Sequence, residues 1–396
     1  MAESLVLKDV ALATMIPNGD GNPFGIVPGA VLAVEDGIIA YAGPAAGYHG
    51  DLSAARAMPG RLVLPGFVAC HNQICWASEA AVAAADGADY RDIVSAAARA
   101  TSAASDDELL GLMRSRLERL TRSGATAVEL KSGFGAAPLD ELRLTHLCRR
   151  LQVEYDGLAR VTLYAGHFIP DGCDPDDHLA EIEQTLLPLA CEQNACDAVE
   201  VFCDDEGALD LDQASSILET FYRRRIPTRV SCDHFADSAG ATLPASFYSR
   251  SATFLNHADD IGLASIASAG TTIILVPEAA GDRPHIAAMR AANAKIALAP
   301  HCGPNDPGKL DVLETARIAI HNWDLTPEEA LFGITVHAAA ALGVPDQSGV
   351  LEEGRRGDFA MFEADRPEDI LTPGVRPTAV ACAGQMMKAS SPDSLP

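Results

Sequence analysis

Leu64-Pro65-Gly66-Phe67-Val68-Ala69-Cys70-His71 is an apolar run, punctuated by Pro-Gly, that ends on a histidine. The same grammar recurs along the chain. Apolar runs bounded by turns occupy Leu62–Val68, Ala125–Leu130, Arg160–Ala165, Ala198–Phe202, Thr228–Ser231, Ala252–Asn256, Thr271–Val276 and Lys295–Ala299. Runs of this length, apolar on both faces, read as strands buried in a parallel sheet. Helical patterns lie between them. Ser105 with Glu108 forms a capping box ahead of Leu109, Leu110, Leu112, Met113, Leu117 and Leu120, and Thr326-Pro327-Glu328-Glu329 opens a second helix. Eight such strands alternating with helices predict an α/β chain folded as a (β/α)8 TIM barrel. A doubly wound sheet is the alternative, and the strand number favours closure.

The two ends read differently. Residues 30–35 and 38–43 alternate about Asp36-Gly37, a hairpin signature. Gly349–Leu351, Asp358–Phe362 and Thr378–Cys382 read as strands near the other terminus. The expectation is a small β-sandwich domain assembled from residues 1–62 and 349–396, flanking a barrel over 63–348.

Composition narrows the function. The chain has 396 residues, more than one average domain of roughly 150. No run approaches the roughly 20 apolar residues of a membrane span, and the start lacks a secretory pattern, so the expected location is cytoplasmic. A net charge of −26 repels phosphate backbones and argues against nucleic acid. The 10 cysteines make no C-x-x-C pair and read as free thiols.

Polar residues stand just after the apolar runs: His71, Lys131, His167, Asp204, Asp233 with His234, His257, Glu278 and His301. In a (β/α)8 barrel these strand ends share one mouth and carry the chemistry. A single histidine there is usually structural; several aimed into one mouth are harder to dismiss. Cys203, Cys232 and Cys302 could be nucleophiles, but buried inert thiols are the commoner case. Lys131 could form a Schiff base, and an ion pair with Glu129 is the simpler reading. Arg283 and His285 read as an exposed loop pair. Gly303–Gly308 is turn chemistry.

The opening stretch resembles the amidohydrolase superfamily, whose members run from an apolar strand through Pro-Gly into a His-x-His metal motif. Gly354-Arg355-Arg356-Gly357-Asp358-Phe359-Ala360 fits the terminal domain of the same superfamily. Gly124–Gly135, Ala165–Pro170, Val199–Cys203, Asn256-His257 and Pro304-Asn305 resemble the imidazolonepropionase family, in the same order along nearly the whole chain. The resemblance implies a hydrolase of C–N bonds that pairs as a homodimer. It also implies four metal ligands, and here the chain departs from the pattern. The His-x-His segment reads His71-Asn72-Gln73, the strand-five ligand position holds Ser231, and the strand-eight position holds His301. His234 stands at the position expected to help activate water. The arginine for a substrate carboxylate would fall near Ala80, and Phe134 replaces a tyrosine. Tyr90, His167 and His257 still match.

Zinc takes four ligands, or three plus water, from His, Cys or carboxylate, and Gln and Ser are poor substitutes. The reading from sequence is therefore a hydrolase acting on a small cyclic amide or imidazolone-like ring other than imidazolone propionate, with no metal. His234 or His301 is the expected base, with Asp233 orienting an imidazole and His257 beside them. His71, Gln73, Tyr90, Phe134, His167 and Ser231 are expected to bind substrate. One zinc in a rebuilt His71–His257–His301 site is the alternative cofactor reading. A metal-free cyclase, lyase or isomerase is the alternative function, and a binding protein on a disabled site is the third.

Overall fold

The computed structural model describes residues 4–19, 21–77, 90–170, 172–204, 209–279, 281–304 and 308–387. Ala80 and Asn305 lie outside the described residues. Eight parallel strands form the central sheet: Phe67–Ala69, Ala125–Lys131, Leu158–Gly166, Ala198–Cys203, Thr228–Cys232, Ser251–Phe254, Thr272–Leu275 and Ile296–Leu298. They pair in chain order, and the sheet curls until its first and last strands share an apolar layer of Val68, Cys70, Ala297 and Ala299. This is a nearly closed (β/α)8 barrel.

The opening run is divided rather than continuous. Leu62–Pro65 leaves the barrel and pairs with Ser4–Ala13 and Phe359–Phe362 in the other sheet, and the first barrel strand begins at Phe67. Gly66 makes the crossing. A Cβ there would sit 2.0 Å from Thr126 Oγ1, so only glycine lets the first strand approach the second this closely.

The terminal segments, expected as a small sandwich, hydrogen-bond as one continuous eight-stranded sheet. It has its own core of Leu5, Leu7, Leu32, Val63, Phe359 and Met361, among others. The hairpin forms over Ile26–Glu35 and Ile38–Pro44, with Asp36 and Gly37 at φ 49° and 80°, the left-handed pair that such a turn requires. Gly349–Leu351, expected as a strand, is not one. Leu351 makes a single backbone bond to Thr14 and buries its side chain in the sheet core instead.

Two anchors hold the barrel mouth. Ser105 caps the helix Asp106–Arg122 by accepting from Glu108 N–H. From that helix, the buried Arg116 lies 3.4 Å over the Trp76 ring and donates to the carbonyls of Ile74 and Trp76. The loop carrying His71 and Gln73 is thereby fixed. No described helix is long and apolar enough to cross a membrane.

Candidate active site

The mouth is built in two layers. The lower layer is a charged floor inside the barrel. Glu129 and Lys131 are two apart on one strand, so both face inward. Glu200 and Arg229 join them from the fourth and fifth strands, and all four are at most 1 % exposed. Lys131 Nζ lies 2.8 Å from His71 Nδ1 and 3.1 Å from Glu129 Oε2, and it also donates to Glu200 Oε2. Glu200 Oε1 accepts from Ser231 Oγ at 2.6 Å. Glu129 accepts from Thr162 Oγ1 at 2.6 Å and from Asn72 N–H at 3.2 Å, with Arg229 Nε 3.4 Å away. Two cations thus face two carboxylates, and each carboxylate oxygen has a donor. Such a buried cluster persists only when charges and hydrogen bonds are matched. Burial and then the neighbouring Lys131 charge hold His71 well below the ordinary histidine range.

The upper layer is aromatic. His167 stacks on Tyr164 at 4.5 Å and meets the Phe134 ring edge-on at 5.1 Å. Its Nδ1 lies 2.5 Å from Gly133 O, an acceptor, so Nδ1 carries the proton. Its Nε2 then accepts from Tyr90 OH at 2.7 Å, with Gln73 Nε2 at 3.5 Å. Gly133, at φ 130°, has no room for a side chain: a Cβ would lie 2.8 Å from Gln73 Nε2 and 3.0 Å from Tyr164. Burial pushes His167 down to about 4. His234 stacks on Phe254 at 4.1 Å, and burial pushes it down to about 4 as well, against the opposing influence of Asn256. Phe254 also meets His71 edge-on at 5.8 Å, so one ring joins the two histidines. Phe254 and Leu255 both have positive φ, 75° and 60°, an uncommon and costly backbone for such side chains.

The remaining expected residues part company. Ser231 lies in the floor, bonded to Glu200, rather than at the rim. Asp233, expected to orient an imidazole, accepts the backbone N–H groups of Ser238, Gly240 and Ala241. It is a loop anchor, because three converging amides outcompete one imidazole. His257 faces the outer loop, 3.8 Å from Asp282. A charge on His301 is among the smaller influences lowering His71, and the backbone N–H of His301 donates to Glu278 Oε2 at 3.1 Å. Glu278, also bonded to Thr315 Oγ1, is pushed up to about 7 by burial.

The rebuilt metal cage of His71, His257 and His301 is not assembled. Among the described residues, the acid, thiol and imidazole groups that converge within 4.8 Å are His71, Glu129 and Glu200. Lys131 donates to His71 and Glu200 and is ion-paired with Glu129 at 3.1 Å. The thiols are poor nucleophiles: burial pushes Cys302 up to about 11 and Cys232 well above the usual range. Arg283 bonds the Trp323 carbonyl and Asp324, away from this cluster. The floor was the part least visible in the sequence. Its signal was present as charged residues inside strands that are otherwise apolar, which can be buried only in pairs.

An amidohydrolase family model matches residues 257–387. The imidazolonepropionase of Brucella anthropi is 31 % identical over 386 residues, spanning 93 % of this chain and 95 % of that one. The imidazolonepropionase of Rhizorhabdus wittichii is 32 % identical, over 92 % and 94 %. The chain belongs to the amidohydrolase superfamily, close to imidazolonepropionase. Solved structures share the amidohydrolase fold at low identity. The 5-methylcytosine deaminase of Klebsiella pneumoniae with phosphonocytosine has a TM-score of 0.76 at 15 % identity and covers 98 % of both chains. A zinc-bound adenosine deaminase of Xanthomonas campestris has a TM-score of 0.70 at 16 % identity, covering 96 % of this chain and 92 % of that one. This amidohydrolase is therefore an enzyme of the hydrolase class acting on C–N bonds of a small molecule. Members of its superfamily usually hold a metal such as zinc.

Proposed function

We propose that this amidohydrolase opens a small, uncharged cyclic amide or imidazolone-like ring with water, that imidazolone propionate is not its substrate, and that it works without zinc. The carrying observation is the Lys131 ammonium, which donates to His71 and Glu200 and is ion-paired with Glu129, at the centre of the only cluster of metal-ligating groups among the described residues. Of the positions that the resemblance gives to metal, Gln73 and Ser231 are not zinc ligands, and His71 Nδ1 already accepts from Lys131. These residues do not fit the metal. Neutral imidazoles in an aromatic shell suit a flat, uncharged ring, because the described side chains of that shell, Phe134, Tyr164, His167, His234 and Phe254, offer ring faces rather than a cation.

In this reading the ring lies against Phe134, Phe254 and Tyr90. A neutral imidazole N–H polarises the carbonyl. His301, in the same corner as His71, takes a proton from water as its oxygen attacks the carbonyl carbon. The proton is returned to the ring nitrogen as the C–N bond breaks. His234 is the second candidate base. The partner is a small molecule rather than nucleic acid, and two copies pair in the cytoplasm.

The test is turnover of a panel of small cyclic amides and imidazolones in oxygen-18 water, before and after chelation. Label in the product and activity that survives chelation are expected. Near-stoichiometric zinc with activity lost on chelation would overturn the metal-free part. Turnover without label would overturn hydrolysis in favour of a metal-free cyclase, lyase or isomerase, which the proton-tuned histidines also suit. Saturable binding with no turnover would leave a binding protein.

A further inference from the structure

We infer that Lys131 is a positioning residue that fixes His71 in one tautomer, with its proton on Nε2, so that His71 and not His167 is the imidazole that donates to the substrate carbonyl. This deepens the proposed reaction and rests on that reading for the substrate.

An ammonium has three N–H groups and accepts nothing. Lys131 donates to two acceptors, His71 Nδ1 and Glu200 Oε2, and the Glu129 carboxylate lies beside it at 3.1 Å as an ion pair. An N–H from Lys131 aimed at His71 Nδ1 across 2.8 Å requires a lone pair there. The competing arrangement would put the proton on Nδ1 and aim it at Glu200 Oε1. That separation is 3.7 Å, beyond hydrogen-bond reach, and Oε1 is already bonded to Ser231. The neutral ring therefore carries its proton on Nε2. Among the described residues nothing is hydrogen-bonded to that nitrogen. The ring stands where the first barrel strand opens into the mouth, against Phe254.

His167 has the opposite assignment. Its Nδ1 proton goes to Gly133 O, and its Nε2 lone pair receives Tyr90 OH. Two histidines that look equivalent in the sequence are thus a donor and an acceptor. The floor supplies the donor without a net charge, since Lys131 and Arg229 balance Glu129 and Glu200. A neutral N–H of fixed direction favours an oxygen that gains negative charge as water attacks, and costs no reorganisation.

The test is a long-range proton–nitrogen spectrum of the imidazoles in uniformly nitrogen-15 labelled full-length protein, with His71 assigned by its loss in His71→Gln. The expected result is one tautomer, Nε2 protonated and Nδ1 not. An Nδ1–H ring, or a ring protonated on both nitrogens, overturns the inference. In Lys131→Met the tautomer is expected to shift or become mixed. A folded Lys131→Met with an unchanged His71 signal overturns the role of Lys131. If that variant does not fold, the wild-type spectrum decides alone. His71→Gln is expected to lower kcat by roughly 10²–10³-fold, the usual loss for one oxyanion donor. These spectra need no substrate, so failure of the oxygen-18 experiment would leave the tautomer standing, and the reverse also holds.

Discussion

The floor and the rim of the barrel mouth keep charge under control by opposite means. In the floor, Lys131, Glu129, Glu200 and Arg229 are almost fully buried and stay compatible with burial because each has a counter-charge within 3.4 Å. In the rim, burial among aromatic rings is the largest influence on His167 and His234 and pushes both down to about 4, outweighing the opposing carboxylates Glu200 and Asp204. The floor is therefore sensitive to any loss of a partner, and the rim to any change in packing or hydrogen bonding. His71 belongs to both: its Nδ1 is in the floor and its ring edge is against Phe254.

The contrast is sharpened first by activity. His301→Asn and His234→Asn are expected to lower kcat by roughly 10²–10⁴-fold for whichever residue is the base, with stability little changed. Steady-state kinetics on the identified substrate check this, and full activity in both variants removes the assignment. Lys131→Met comes next. It strands two carboxylates, and removing one partner of a buried ion pair costs about 3–5 kcal/mol. Urea unfolding reads this directly, and a loss under about 1 kcal/mol would mean that the floor is not paired as described.

Glu278 gives a pH test. Its folded-state value lies above the ordinary 4.5, at about 7, because of burial. The stability it contributes is complete below about 4.5 and is lost as the pH rises through about 7. Glu278→Gln should flatten the fall in Tm between pH 5 and 8. An unchanged slope would mean that Glu278 is ionised without cost. The smallest effect is expected for Tyr90→Phe, which removes only the hydroxyl bonded to His167, about 1 kcal/mol. The floor should be unaffected: the His71 imidazole signals should stay where they are, and their movement would show that the two layers are coupled.

Much of the fold could be read in advance because it depends on periodicity. Buried strands of the length of Ala198–Phe202 need apolar residues on both faces, and Asp36-Gly37 can hardly be anything but a tight turn. The run from Leu62 to Val68 was the exception. Hydropathy is the same on both sides of Gly66, so nothing local says that the chain changes sheets there. The site was legible as a set of residue types at strand ends, not as a set of partners. Asp233 shows why: its neighbour in sequence is His234, but its carboxylate is closer to the amides of Ser238, Gly240 and Ala241.

The sequence by itself determined the barrel, the second sheet drawn from both termini and the departure of Gln73, Ser231 and His301 from the metal-binding pattern. Those are properties of residue type and spacing. Only the tertiary structure decided that Lys131 would meet Glu200 from 69 positions away, and that His71 and His167 would hold their protons on opposite nitrogens. A tautomer is set by which donor or acceptor lies within about 3 Å of each ring nitrogen, and that distance exists only once the strands have closed around it.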